Sequence, residues 1–314
     1  MTIHVVPTEF ATVQAAIDAA VEGDSIQILA GTFDGFNVTK ERLKIFGCGI
    51  GKTIIAGNSA FGSTDGINVD ASRTILKGFT IQGFQGTDSD GIDVNTNNNI
   101  LVELESKSNF SDGFEIDGEN NLIINCLASS NLSEGFDLEN DHNCVINCKS
   151  IQNGAREGEG IEIEANYNKL INNLAKENFE DGFDLDDNAS FNTLFGNVSI
   201  KNMGDGIEVD DEANNNNIIA NMVCNNIESG IEMEANGGAT IGNVIDSNII
   251  RNNGPANVGS SSGIFVQDGV IDSSIRFNKL KLNEPFDIDV EGDVNDNTFD
   301  GNICENSFPD NLCT

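Results

Sequence analysis

Tryptophan is absent from the 314 residues, tyrosine occurs once, histidine twice and proline four times. Chemistry that needs an imidazole or a phenol therefore has only His4, His142 and Tyr167 to draw on. Basic residues are also scarce: 16 Lys plus Arg stand against 51 Asp plus Glu, a net charge of −35. Such a chain repels phosphate backbones and anionic headgroups, which excludes a nucleic-acid binder and a peripheral protein of anionic membranes. No apolar run approaches the roughly 18 residues of a spanning helix, so no membrane partner is expected. The opening, Met1-Thr2-Ile3-His4, has no basic segment followed by an apolar one. The expectation is a cytoplasmic protein, or a secreted or surface protein if a leader has been trimmed. The seven Cys include no pair at two-residue spacing, which leaves zinc and thiol catalysis without support. Free thiols are the default, and Cys304 with Cys313 can bridge if the compartment is oxidising.

What the chain does have is repetition. The phrase acidic-Gly-apolar-acidic-apolar-polar reads DGINVD at Asp65–Asp70, DGIDVN at Asp90–Asn95, DGFEID at Asp112–Asp117 and EGFDLE at Glu134–Glu139. It continues as EGIEIE at Glu159–Glu164, DGFDLD at Asp181–Asp186, DGIEVD at Asp205–Asp210 and SGIEME at Ser229–Glu234. The phrase fades at Ser262–Gln267 and Pro285–Val290, after an insertion around Asn252–Ser261. Apolar residues two apart mark a strand with one buried face. Copies recurring every 22–25 residues, with no helical segment between them, stack as a parallel solenoid in which each coil buries its apolar residues against the next. Asn recurs in fixed phase: Asn125, Asn147 and Asn172 in one, Asn131, Asn153 and Asn178 in another. Both phases predict side-chain ladders at the corners. Cys126 and Cys148, also one coil apart, are packed thiols or an axial disulfide.

The start differs. Thr12–Val21 has apolar residues at helical spacing, with Thr12 as its cap and Gly23 as its stop. Ser25–Ala30 and Leu43–Phe46 read as strands. A helix across the end of a solenoid covers its unpaired edges. The expected fold is all-β: a single-stranded right-handed parallel β-helix of about ten coils. Residues 1–57 form an N-terminal cap continuous with a solenoid over residues 58–314.

The phrases TVQAAIDAAVEGDSIQILAGTF and LKIFGCGIGKTIIAG resemble the opening of right-handed parallel β-helix proteins of the pectate-lyase-like superfamily. The later repeats resemble coils of mannuronan epimerases and of NosD-like carbohydrate-associated β-helices. The likeness spans nearly the whole chain and implies the fold; an activity does not follow from a fold. Of the epimerase phrase Tyr-Gly-Phe-Asp-Pro-His only Gly135-Phe136-Asp137 is present, with Glu134 for Tyr and Leu138-Glu139 for Pro-His. The Arg-rich pectate-lyase and the pectin-esterase motifs are not visible.

The strands place Asp93, Glu115, Asp137, Glu162, Asp184, Glu208 and Glu232 in one outward column. Asp117, Glu139, Glu164, Asp186, Asp210 and Glu234 form a second. Coils lie about 4.8 Å apart, where like charges repel by roughly 1 kcal/mol in water and roughly 3–4 kcal/mol at an effective dielectric of 20. Protonation, splaying into solvent or bound cations relieve this. Calcium suits the oxygen-only donors Asp137, Glu139, Glu162, Glu164, Asp184, Asp186, Glu208 and Asp210. His142 and Tyr167, each seven residues beyond a repeat Gly, are expected one coil apart, with Lys169 and Arg156 close in sequence. Together they offer the base, acid and cation that a uronate lyase or epimerase needs, with Asp137, Glu162 and Asp184 contacting substrate. Hydrolysis by a carboxylate pair has no single candidate, because every coil offers one. Two main readings stand: a calcium-assisted lyase or epimerase on an acidic polysaccharide or oligosaccharide, or a non-catalytic structural, adhesion or glycan-binding β-helix. A third, an acidic decoy for a nucleic-acid-binding protein, rests on net charge alone.

Overall fold

The computed structural model describes residues 1–57, 65–155, 158–255 and 261–314. The chain divides into two compact units, Met1–Arg156 and Glu157–Thr314. In each, the chain runs through three short strands per turn, and each strand pairs in parallel with its counterpart one turn away. The architecture is the all-β parallel solenoid that the repeat predicts.

One full turn shows the pattern. Phe114–Ile116 belongs to the third face, Leu122–Ile124 to the first and Leu127–Ser129 to the second. Phe136–Leu138 then begins the next turn on the third face. Registers follow the repeat: Phe114 opposite Phe136 and Glu115 opposite Asp137 in the first unit, and Phe183 bridged to Ile207 and Ile207 to Ile231 in the second. The inward residues are fully buried, and the Phe114 and Phe136 rings stack at 4.6 Å. Each such side chain contributes about 1.5–3 kcal/mol of burial, repeated rung after rung.

The turns number about twelve, where the sequence reading expects ten. The difference lies in the first sixty residues. Ile3–Val6, Ser25–Ile28 and Lys44–Phe46 already stand in the first-face sheet of their unit, and Phe36–Val38 pairs with Ile67–Val69 on the third. Asp34-Gly35-Phe36-Asn37-Val38 is one more copy of the phrase, concealed by its distance from Gly66. The expected helix forms over Val13–Ala19 with Thr12 Oγ1 capping Ala15 N–H at 3.1 Å. It buries Val13, Ala16 and Ile17 and packs against the strands Ile3–Val6, Ser25–Ile28 and Phe36–Val38. It stops at Ala20, whose N–H donates to Ala16 and Ile17, and not at Gly23, which sits in the turn beyond.

The corners rest on asparagine. Asn131 N–H and Nδ2 both donate to Asn153 Oδ1 at 3.0 Å, as the sequence expects for that phase. The same double bond links Asn178, Asn202, Asn226 and Asn253 in the second unit. The Asn125 phase is different. Asn125, Asn147 and Asn172 adopt φ between 53° and 55°, so this phase marks left-handed corners and not a ladder. The ladder runs one residue later, through Asn173, Asn197, Asn221, Asn248, Asn278 and Asn302. Cys126 and Cys148 hold that position in the first unit. They are packed thiols, with Cys126 N–H donating to Cys148 Sγ at 3.3 Å as an Asn would to the next Asn. Cys304 and Cys313 are disulfide-bonded. Of the insertion at Asn252–Ser261, residues 256–260 lie outside the described residues.

Candidate functional site

The third face concentrates the acidic residues in three columns. The first stands immediately before each repeat glycine: Asp65, Asp90 and Asp112 in the first unit, Asp181 and Asp205 in the second. The second and third follow the glycine by two and four residues, as the repeat predicts. Glycine is required because coils approach closely there. A Cβ on Gly206 would meet Gly230 O at 2.5 Å and Asn226 Nδ2 at 2.6 Å.

The first column carries no role in the sequence reading, and the structure gives it one. Asp65 Oδ1 accepts Asp90 N–H at 3.1 Å, Asp90 Oδ1 accepts Asp112 N–H at 2.8 Å, and Asp112 Oδ1 accepts Glu134 N–H at 2.8 Å. Asp181 Oδ1 accepts Asp205 N–H in the same way. An acid at a fixed place in the phrases from Asp65 to Asp205 was the available signal, but before a glycine it reads as a turn residue. The ladder changes at Ser229, whose Oγ donates to Glu232 Oε2 at 2.7 Å and accepts Ser262 N–H at 3.2 Å.

Some members of the columns are buried, where the sequence suggests an outward, solvated face. Asp137, Asp184 and Glu232 keep only 8%, 7% and 7% of their exposure. The carboxylates of neighbouring coils stand close together on this face of each unit. Burial raises the proton affinity of Asp184 and Glu232, as it does for any carboxylate denied water. In the first unit it pushes Asp93 up to about 7, with Glu115 and Asp117 adding repulsion. Burial and the adjacent Asp90 carry Glu115 to about 9, and burial raises Asp117 and Glu139. In the second unit burial, then neighbouring carboxylates, raise Asp181, Asp184, Asp186 and Asp205. Burial likewise takes Glu208 to about 7 and Glu232 to about 8.

Three carboxylates come within 4.8 Å of one another in several places: Glu115, Asp117 and Glu139 in the first unit, and Glu162, Asp184 and Asp186, or Asp181, Asp205 and Glu208, in the second. Ion pairs such as Lys107–Glu105 and Arg276–Asp246 stand on the second and first faces.

The described members of the sequence-predicted catalytic group stand at the end of the third face, in or just after the turn toward the first. Tyr167 lies in the turn between third and first faces of its unit, 46% exposed and stacked on Phe191 at 5.1 Å. Lys169 opens the first-face strand Lys169–Ile171 and is exposed. His142 holds the corresponding exposed turn of the first unit. Arg156 lies outside the described residues. Of the proposed substrate contacts and metal ligands, Glu162, Asp184 and Asp186 are brought together. Glu139 clusters with Glu115 and Asp117 in the first unit, and Glu208 with Asp181 and Asp205 in the second.

This geometry is that of a known group. The profile for "right handed beta helix region" matches residues 65–223. The chain belongs to the right handed beta helix family. Solved structures agree on the β-helix at low identity. The A-module of Azotobacter vinelandii mannuronan C-5 epimerase AlgE4 superposes with a TM-score of 0.75 at 16% identity, covering 95% of both chains. The PL6 family polysaccharide lyase Pedsa3628 from Pseudopedobacter saltans gives 0.64 at 16%, over 91% of this chain and 76% of that one. Pectate lyase Pel9A gives 0.53 at 17%, over 98% and 78%. A search of curated protein sequences finds no match.

Proposed function

We propose that this β-helix is directed at a polysaccharide and that its third face receives the glycan. The observation carrying this reading is the set of partly buried carboxylate clusters on that face of each unit, on a fold whose structural neighbours include an epimerase and lyases of polysaccharides. In the finer form of the proposal, these carboxylates would hold calcium, which would supply the positive charge that a uronate polymer requires. The donors fit: all are oxygens, and Asp184 Oδ1 is buried with no hydrogen-bond partner. Asp137 and Glu139 would hold the ion in the first unit, and Glu162, Glu164, Asp184, Asp186, Glu208 and Asp210 in the second, with Asp137, Glu162 and Asp184 also facing substrate. The metal supplies positive charge beside the substrate carboxylate. His142 and Tyr167 would then take and return the proton beside that carboxylate, while Lys169 and Arg156 stabilise the enolate-like charge.

A non-catalytic glycan-binding or adhesion role is the second reading, favoured by the near-uniform phrase from Asp90 to Asp210. Assay on alginate and polygalacturonate, with calcium or with chelator, separates them. The enzymatic form predicts turnover that chelator abolishes and that His142→Ala or Tyr167→Phe lowers by about a hundredfold or more. Calcium-dependent binding with no turnover leaves the binding role. Turnover untouched by both substitutions removes the proposed pair.

A further inference from the structure

The second unit holds a groove of about 280 Å3 where the acidic ladder changes. Its floor is Asp181, Asp205, Glu208, Glu228, Glu232 and Glu234, and no Lys or Arg is among its described lining residues. Asp205 is 4% exposed and its Oδ1 has no hydrogen-bond partner. At the next rung Ser229 replaces the acid of the repeat, and its hydroxyl fixes Glu232 at 2.7 Å. The rim has the opposite character. Phe179 and Met203 line the groove at 47% and 54% exposure, and Ile227, at 39%, takes the same place one coil further on.

An acidic floor alone suits any cation. The apolar rim does not: a bare metal ion has no use for a row of exposed Phe, Met and Ile. A ligand with ammonium groups below and C–H faces beside them uses both. The floor repeats at the coil spacing of about 4.8 Å, close to the length of one sugar in an extended β-linked chain. From this combination we infer that the groove binds a linear glycan of amino sugars with free primary amines, the ammonium groups meeting Asp205, Glu208 and Glu232 and the sugar faces lying on Phe179 and Met203. The assignment rests on the polysaccharide-directed reading but needs neither calcium nor uronate. Charge-assisted hydrogen bonds to desolvated carboxylates are the strong kind, and the −35 net charge draws a polycation in.

The test is titration calorimetry of the full chain with a glucosamine hexamer in chelator, beside the N-acetylglucosamine hexamer, spermine and an oligouronate. The expected result is binding of the glucosamine hexamer alone among the sugars, weakening as salt rises. Glu232→Gln and Glu208→Gln, which keep shape and remove charge, should each weaken it by about tenfold or more. Phe179→Ala, at an exposed site, should weaken the hexamer and leave spermine unchanged. Equal binding of the acetylated hexamer, absence of glucosamine binding in correctly folded protein, or spermine binding as tightly as the hexamer would each overturn the assignment. A second oligouronate titration with calcium in place of chelator reads the uronate proposal separately, so the amino-sugar groove can fail while the uronate reading stands.

Discussion

Two kinds of polar column run through each unit, and they solve the same spacing problem in opposite ways. In the corner ladders each Asn presents an amide to the Asn one coil away, as Asn221 does to Asn248 at 3.1 Å. An amide carries donors and acceptors, so a stack of identical amides satisfies itself. The third-face columns repeat carboxylates, which only accept when ionised. The first of these escapes by accepting backbone N–H groups, as Asp90 does from Asp112. The other two accept only from scattered side chains and turn N–H groups, as Asp93 does from Asn95 and Asp186 from Asp187, and crowd carboxylate against carboxylate. Repetition stabilises a column whose unit is self-complementary and loads a column whose unit is not.

The largest test of that contrast is the pH profile of stability. Asp93, Glu208, Glu232 and Glu115 are raised to about 7, 7, 8 and 9 in the fold. For a carboxyl raised on folding, the native state holds more protons than the unfolded chain between the two pKa values. Stability therefore falls as pH climbs through that window, from 4.5 to about 8 for Glu232, and levels off above it. Thermal melting should be highest in mild acid and drop by several degrees or more toward pH 9. Millimolar calcium should restore it at pH 9 and do nothing at pH 4.5. A melting temperature flat across this range contradicts the contrast.

Converting one column into the other is the next test. Asn221→Asp removes two donors and buries a charge, and should cost about 3–5 kcal/mol in urea unfolding at neutral pH. Glu232→Gln makes the reverse exchange. It should stabilise the fold by about 2 kcal/mol at pH 9 and by almost nothing at pH 4, where Glu232 is already protonated. The smallest effect belongs to the thiols. Cys126→Asn with Cys148→Asn extends the ladder into the first unit and should shift stability by less than about 1 kcal/mol. A large loss there would show that sulfur and amide are not equivalent at that corner.

The sequence made the period, the strand phrase and the Phe114–Phe136 register legible, because period-two apolar patterning and a constant step are enough to stack coils. It was less informative wherever a residue's partner lies one coil away and a shift of one position changes its role. Asn125 and Asn172 were phase-locked, yet the ladder belongs to the neighbouring position that Asn173 occupies. The acids before glycine were visible in the phrases from Asp65 to Asp205, but only the fold shows that they order the backbone of the next coil. Burial of Asp184 and Glu232 was not legible at all, since strand alternation points them outward.

The ladders also bear on how such a chain lengthens. Asn192 to Asn216 is 24 residues, Asn216 to Asn243 is 27, and Asn243 to Ser273 is 30, yet each N–H still reaches the following side chain within 3.1 Å. Length is thus absorbed in the excursions between anchor points and never at the anchors. A gene built this way tolerates duplication or loss of a whole winding, or growth of one excursion, while a deletion that removes an anchor unravels both neighbours. New specificities in such a molecule arise by lengthening what lies between fixed amides.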